Sequence, residues 1–298
     1  MTEFANKRET GSEGLIMAVS KTGDPLGGWW AYFFSTGRVF PDYPKFSVWN
    51  DGYYATSNDF TQTYVGSSVY AFDRAKMLDG QAATMQTVRF KVNTYSRYFT
   101  MCPVLLQGTT LPPAGTGGLF AYMNDNFVSG SQDSVGLLEF NVNWSNSSQS
   151  KVSFRASLLA SSFSGGATCS ASRGACVPQP GTTVKLESLE RRVMNQPIYR
   201  NFGNYEGIVL THIVDKGSGI SGIRWYELQK SSGSWSLYQQ STYSPDDAHR
   251  WLPSIAYDMY GNIGLGYNVS SSSLGVYPSV RFTGRKQCDP LKIGRAHV

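Results

Sequence analysis

Four stretches of this chain carry a cation, usually beside an aromatic ring and often after a carboxylate. Asp42-Tyr43 precedes Lys45, Arg97 precedes Tyr98, and Glu190 precedes Arg191 and Arg192. Asp247 precedes His249, Arg250 and Trp251. Cations donate charge-assisted hydrogen bonds to acidic or neutral sugars, and aromatic faces stack on them. The candidate ligand contacts are therefore Asp42, Tyr43, Lys45, Arg97, Arg192, Asp247, His249, Arg250 and Trp251. Tyr43, His249 and Arg250 stand out, because VFPDYPKF and YSPDDAHRW are the least strand-like of the flanking segments. A motif repeated this regularly has a second use: the same residues could form ion pairs that fix one structural unit against the next.

Hydrolysis of a glycan would need more. A sialidase-like site requires an arginine cluster, a tyrosine nucleophile backed by a glutamate, and an acidic aspartate. Arg192, Arg250, Tyr199, Tyr205, Glu206, Asp42 and Asp247 supply those types, but the Ser-x-Asp-x-Gly-x-Thr-Trp box is absent. No G-x-S-x-G elbow occurs, and His212, inside VLTHIVD, reads as a satisfied sheet histidine. No metal site is expected, since neither His/Cys nor His/Glu spacing suits a transition metal and Asn124-Asp125-Asn126 with Asp133 reads as a solvated turn. No phosphate-cradling loop is present, and no cofactor is expected.

The elements that must position these residues are short strands. PDYPKFSVWNDGYYATSNDF, residues 41–60, reads as a hairpin around Asn50-Asp51-Gly52, residues that accept a tight turn. PSIAYDMYGNIGLGYNVS, residues 253–270, repeats it. Comparable first strands start near 44, 101, 192 and 251. Units of four strands follow, at about 44–50, 53–60, 67–73 and 85–92, with a helical turn over 73–80. The next units lie at about 99–107, 117–124, 134–144 and 151–158, and at about 190–201, 205–214, 221–229 and 234–241. A last unit runs over about 250–258, 262–269 and 277–283, and strands at 14–20 and 29–35 belong to an incomplete first one. Four short strands recurring at this period predict an all-β fold, a β-propeller fragment of about four to five blades over residues 1–291. In such a fold the first strand of each blade lines the centre, and its start lies at one rim. The candidate contacts would gather there.

Residues 161–185 form the one long irregular insertion, with Cys169 and Cys176 placed to close a small disulfide ring. The pairing of Cys102 and Cys288 is left open. Residues 292–298, KIGRAHV, match the translation of a common sequencing adapter and are set aside as an expected artefact. Without Lys292 and Arg295 the net charge of +5 becomes +3. That mild charge, with no basic stripe, argues against a nucleic-acid partner, and no apolar run is long enough for a membrane span. Low charge (16%) with 14% aromatics suits pleated sheets. Sequons at Asn143, Asn146 and Asn268 lean towards a secreted or cell-surface protein.

Residues 1–291 also carry a resemblance. FPDYPKFSVWNDGYYATSNDF, VYAFDRAKML, the stretch from Cys176 to Glu206, GIRWYELQ, the stretch from Tyr238 to Ser273, and VYPSVRFTGR resemble a family of large secreted, mainly bacterial, β-propeller-like proteins. The resemblance implies six or seven blades, with more chain on both sides, and transfers no catalytic residue. Two functions follow as expectations. The first is an extracellular binding or scaffold module for glycan or protein ligands, and the second is a glycan-acting hydrolase.

Overall fold

The computed structural model describes residues 1–5, 12–91, 98–126, 132–165 and 175–291. Strands dominate them, and a short α-helix, α1 (Arg74–Leu78), is capped by Asp73, whose carboxylate accepts the Lys76 N–H. Five consecutive sheets, antiparallel but for one pairing in the fourth, form the architecture. The first holds β1 (Thr2–Ala5), β2 (Glu13–Ser20) and β3 (Trp29–Gly37). The second holds β4 (Phe40–Val48), β5 (Tyr53–Phe60), β6 (Tyr64–Phe72) and β7 (Met85–Lys91). The third is built from β8 (Cys102–Pro103), β10 (Gly118–Asn124), β11 (Ser134–Asn141) and β12 (Lys151–Leu159). In the fourth, β15 (Ile198–Asn201), β16 (Glu206–Asp215), β17 (Ser221–Lys230) and β18 (Ser236–Tyr243) are joined at the inner edge by β9 (Leu105–Gln107). The fifth is β19 (His249–Tyr257), β20 (Ile263–Ser271) and β21 (Val276–Arg285). A small hairpin of β13 (Ala175–Val177) and β14 (Leu186–Glu187) stands apart.

Each sheet is a meander, and successive sheets pack face to face, which is a β-propeller arrangement. The apolar layers between them follow chain order. Leu15, Met17 and Phe34 meet Ala55, Tyr70 and Phe72 between the first two blades. Tyr54, Val69, Phe120, Leu137 and Tyr226 belong to the largest layer, shared by the second, third and fourth. Val209 and Trp225 meet Ile255, Tyr257 and Leu265 between the fourth and fifth. Strand alternation produces this: one face of every strand is committed to a neighbouring blade.

The two related hairpins turn as their sequences require. The Trp49 N–H donates to the Gly52 carbonyl at 3.0 Å. In the second copy the Asp258 carboxylate accepts the Tyr260 and Asn262 N–H groups, and Gly261 takes a φ of 83° that a side chain would strain. Both hairpins also share a bulge. Tyr43-Pro44 and Leu252-Pro253 drop out of the β4–β5 and β19–β20 ladders.

Three sequence-based boundaries move. The first blade has a third strand, β1, where Met1 to Ala5 already reads as strand from its sequence, although strands were counted there only from residue 14. The strand expected over 99–107 is split, because after Pro103 the chain crosses to pair in parallel with β15. The strand expected over 190–201 is regular only from Ile198, and residues 193–197 instead cross the centre. There the Val193 carbonyl accepts the Cys102 thiol, Asn195 donates to the Pro253 carbonyl at 2.6 Å, and Gln196 donates to the Phe46 carbonyl at 2.8 Å. One irregular segment thus ties together the inner strands of three other blades and fills the middle with Val193 and Met194, both buried. The disulfide expected between Cys169 and Cys176 involves Cys169, which lies outside the described residues. Cys102 and Cys288 are free thiols, the first buried and the second exposed.

Candidate functional site

The starts of the first strands define one rim, and in the second blade several candidates converge there. Tyr43 holds a left-handed φ of 51°, an outlier for a bulky residue and doubly so before proline. That conformation belongs to the bulge and turns the ring out of the ladder. Lys45 Nζ lies 3.9 Å from the ring centre, and the Arg192 guanidinium lies 5.5 Å from it. Arg192 also faces Phe99 at 5.8 Å. The Tyr43 hydroxyl donates to Met194 Sδ at 3.0 Å, so the filled centre braces the ring from beneath. Phe99 is 37% exposed, and its turn is pinned by buried Asn58, which accepts the Thr100 N–H at 2.8 Å and donates to its hydroxyl.

Charge is unbalanced at this cluster. Among the described residues neither Lys45 nor Arg192 has a carboxylate within ion-pair distance, although six such pairs form elsewhere. Arg192 Nε donates instead to the Glu190 carbonyl at 3.1 Å. Asp42 is half-buried at the same strand start, paired in register with Asn58. The cluster presents two cations, an aromatic edge and one nearby carboxylate. Arg97 lies outside the described residues.

In the fifth blade the same motif is folded inward. Arg250 is 2% exposed and makes a two-pronged pair with Asp246 at 2.8 and 2.9 Å. It lies between the rings of Tyr243 and Tyr267, at 5.6 and 5.7 Å. Arg250 in turn holds the Asp246 carboxyl below the usual carboxylate range. Trp251 is buried against Val177 and Ile213, so its faces are not open to a ligand. His249 is buried too, with Nδ1 3.2 Å from the Ser221 hydroxyl, and burial lowers its pKa. Ser221 is 0% exposed and points both its N–H and its hydroxyl at that nitrogen, so the pair clamps blade to blade and offers no nucleophile. Asp247 is exposed and pairs with Lys216 at 2.7 Å. The nine candidates therefore do not form one site. Tyr43, Lys45 and Arg192 meet, with Asp42 alongside, whereas His249, Arg250 and Trp251 serve packing.

The tyrosine and glutamate of a sialidase-like site do pair, in the wrong place for it. The Tyr199 hydroxyl donates to Glu206 Oε2 at 2.8 Å, and Lys230 donates to the other oxygen at 2.8 Å. Tyr199 is 0% exposed, packed against Trp49 and Trp235, and sits at the turn end of its blade. Burial and Glu206 push its pKa up, the opposite of what a nucleophile needs. Arg192 and Arg250 are near the strand starts instead. His212 is a satisfied sheet histidine, bonded to the Tyr226 hydroxyl and the Ile213 carbonyl, and its pKa falls to about 4 because it is buried. Burial pushes the Cys102 thiol up to about 12, which leaves it unreactive. Asp133 accepts the Asn126 and Phe163 N–H groups and is buried, as are Asn124 and Asp125, so the turn expected to be solvated is packed inside instead. Among the described residues no group of three or more potential ligands could hold a metal.

Phe99, Asn58 and Met194 were not legible as site residues. Phe99 follows the noted Tyr98 directly, which was the only available signal.

No family model matches the chain, and no curated protein matches it. Similar solved structures exist, all at low identity. An α-L-arabinanase of Penicillium chrysogenum, complexed with arabinobiose, is 14% identical over 85% of this chain and 64% of its own, with a TM-score of 0.45. A Trypanosoma rangeli sialidase bound to the inhibitor DANA is 12% identical over 89% of this chain and 42% of its own, with a TM-score of 0.44. An endo-arabinase of Bacteroides thetaiotaomicron is 10% identical over 97% and 94%, with a TM-score of 0.39. Likeness at this level transfers no site and no substrate. No helix among the described residues is long and apolar enough to cross a membrane.

Proposed function

We propose that the protein recognises glycans at the rim of its second blade, with an acidic sugar held by Lys45 and Arg192 against Tyr43 and Phe99. One observation carries this reading: two half-buried cations share a single tyrosine ring and have no counter-ion among the described residues. Like charges gathered this way repel, and an anionic group between them relieves that repulsion while gaining charge-assisted hydrogen bonds. The exposed Phe99 adds an apolar surface for a sugar ring.

Hydrolysis is the second reading. It rests on Asp42, a half-buried carboxylate beside the cluster. The enzymes named above are glycan hydrolases, which accords with the hydrolase expectation rather than with the binding-module one. An extracellular or envelope location would suit either.

The test is a glycan array carrying acidic and neutral glycans, with a fluorogenic glycoside panel run on the same protein. Retention of acidic glycans that is lost in the Lys45→Ala, Arg192→Ala double variant supports recognition. Turnover abolished by Asp42→Asn moves the assignment to hydrolysis. Equal retention of acidic glycans by the protein and the double variant would sink the rim reading.

A further inference from the structure

At the opposite, turn end of the molecule the fourth and fifth blades enclose a small polar cavity of about 140 Å³. Tyr205, Glu227, Gln229, Tyr238, Arg285 and Gln287 line it. They come from the β15–β16 turn, from β17 and β18, and from the end of β21 with the residues just beyond. Gly261, in the β19–β20 turn, closes one side. A Cβ there would come within 3.4 Å of the Tyr205 hydroxyl and Gln287, so the absence of a side chain keeps the space open.

Two opposite charges are sunk in its wall without pairing. Glu227 is 3% exposed and Arg285 is 6% exposed, yet none of the ion pairs joins them. Glu227 accepts from the Tyr257 hydroxyl at 3.0 Å, from Gln229 at 2.9 Å, and from Gln239. A carboxylate has about four acceptor positions, so one remains. The Arg285 terminal nitrogen donates to the Gln287 and Asp289 carbonyls, but its Nε is buried with no partner. The cavity wall thus combines a carboxylate with one acceptor position left, a guanidinium and two tyrosines, with no net charge between Glu227 and Arg285.

We infer that this cavity is a second carbohydrate site, one that takes a single neutral sugar ring. A ring hydroxyl donates to Glu227, and a neighbouring oxygen accepts from the Arg285 guanidinium. Neutrality follows from the balanced wall, since an anion would face Glu227 and a cation would face Arg285. The single ring follows from size, because pockets for drug-sized ligands run to about 300–1,000 Å³. This inference is independent of the rim cluster, which lies at the strand starts and is cationic.

The test is saturation-transfer NMR and calorimetry on the protein with D-glucose, D-galactose and L-arabinose. At least one should bind with a Kd of about 1 mM. Tyr238 is 48% exposed and Gln287 is exposed, so Tyr238→Ala and Gln287→Ala should fold normally. Each should weaken that binding about tenfold, roughly 1.4 kcal/mol, while Lys45→Ala leaves it unchanged. Loss of binding in Lys45→Ala would assign the sugar to the rim and overturn the inference. So would unchanged binding in both cavity variants, or no binding of any of the three sugars to the protein.

Discussion

The second and fifth blades start with the same backbone and put it to different uses. Both have a residue with left-handed φ before a proline, Tyr43 at 51° and Leu252 at 49°, and both bulge at that point. In the second blade the left-handed residue is aromatic and carries two cations on its ring. In the fifth it is a leucine, and the cation two residues earlier turns inward between two tyrosines. A repeated sequence therefore sets the course of the chain, at a cost of about 1–2 kcal/mol for each left-handed residue. It does not set which side chains stay available. The neighbouring structure decides that: Asp246 and the β18–β20 tyrosines capture Arg250, while Lys45 and Arg192 have no carboxylate to capture them.

The largest effect should separate the two blades by stability. Arg250→Ala should cost about 3 kcal/mol in chemical denaturation, because it removes a buried guanidinium with its bonds to the partly exposed Asp246 and its two ring contacts. Lys45→Ala should stay within about 0.5 kcal/mol. Similar losses in the two variants would erase the distinction.

Acidification should weaken the fourth and fifth blades next. His212 titrates near 6.5 in the unfolded chain and near 4 in the folded one, and His249 is displaced in the same direction. Between those pH values the unfolded state holds more protons, so stability is full above about 6.5 and falls as pH drops towards 4. Thermal melts should show that decline, and His212→Gln should flatten it. A melt independent of pH over this interval would mean that the buried histidines do not govern stability.

Ligand binding sharpens the comparison from the other side. Tyr43→Ala should weaken an acidic glycan about tenfold, roughly 1.4 kcal/mol, by removing the ring that holds both cations. Leu252→Ala should leave affinity unchanged. Rising salt should weaken the protein's binding, since partly exposed charges are screened. The smallest effect belongs to Asp247→Asn. Its carboxylate is 73% exposed in a surface pair with Lys216, so the melt should move by no more than about 0.5 kcal/mol.

Much of the fold was legible because strands are local. Alternation at 53–60 and 205–214, and the Asn-Asp-Gly turn at 50–52, located strands to within a residue or two. The site was legible only in part. Tyr43, Lys45 and Arg192 were named from residue type, and they do converge. Arg250 and Trp251 were named on the same grounds and are buried. Nothing in HRW distinguishes an exposed cation from one with a carboxylate at i−4 and two tyrosines waiting across the sheet.

Turn chemistry and alternation act over a few residues, so the amino-acid order alone was enough to specify an all-β chain of repeated meanders with strand starts marked by cations. Packing of blade on blade placed residues 193–197 in the centre, brought Tyr43 to a methionine 151 residues away, and put Glu227 and Arg285 in one cavity without pairing. Those outcomes depend on which blade faces which, and burial between blades is a property of the packed whole rather than of any one strand.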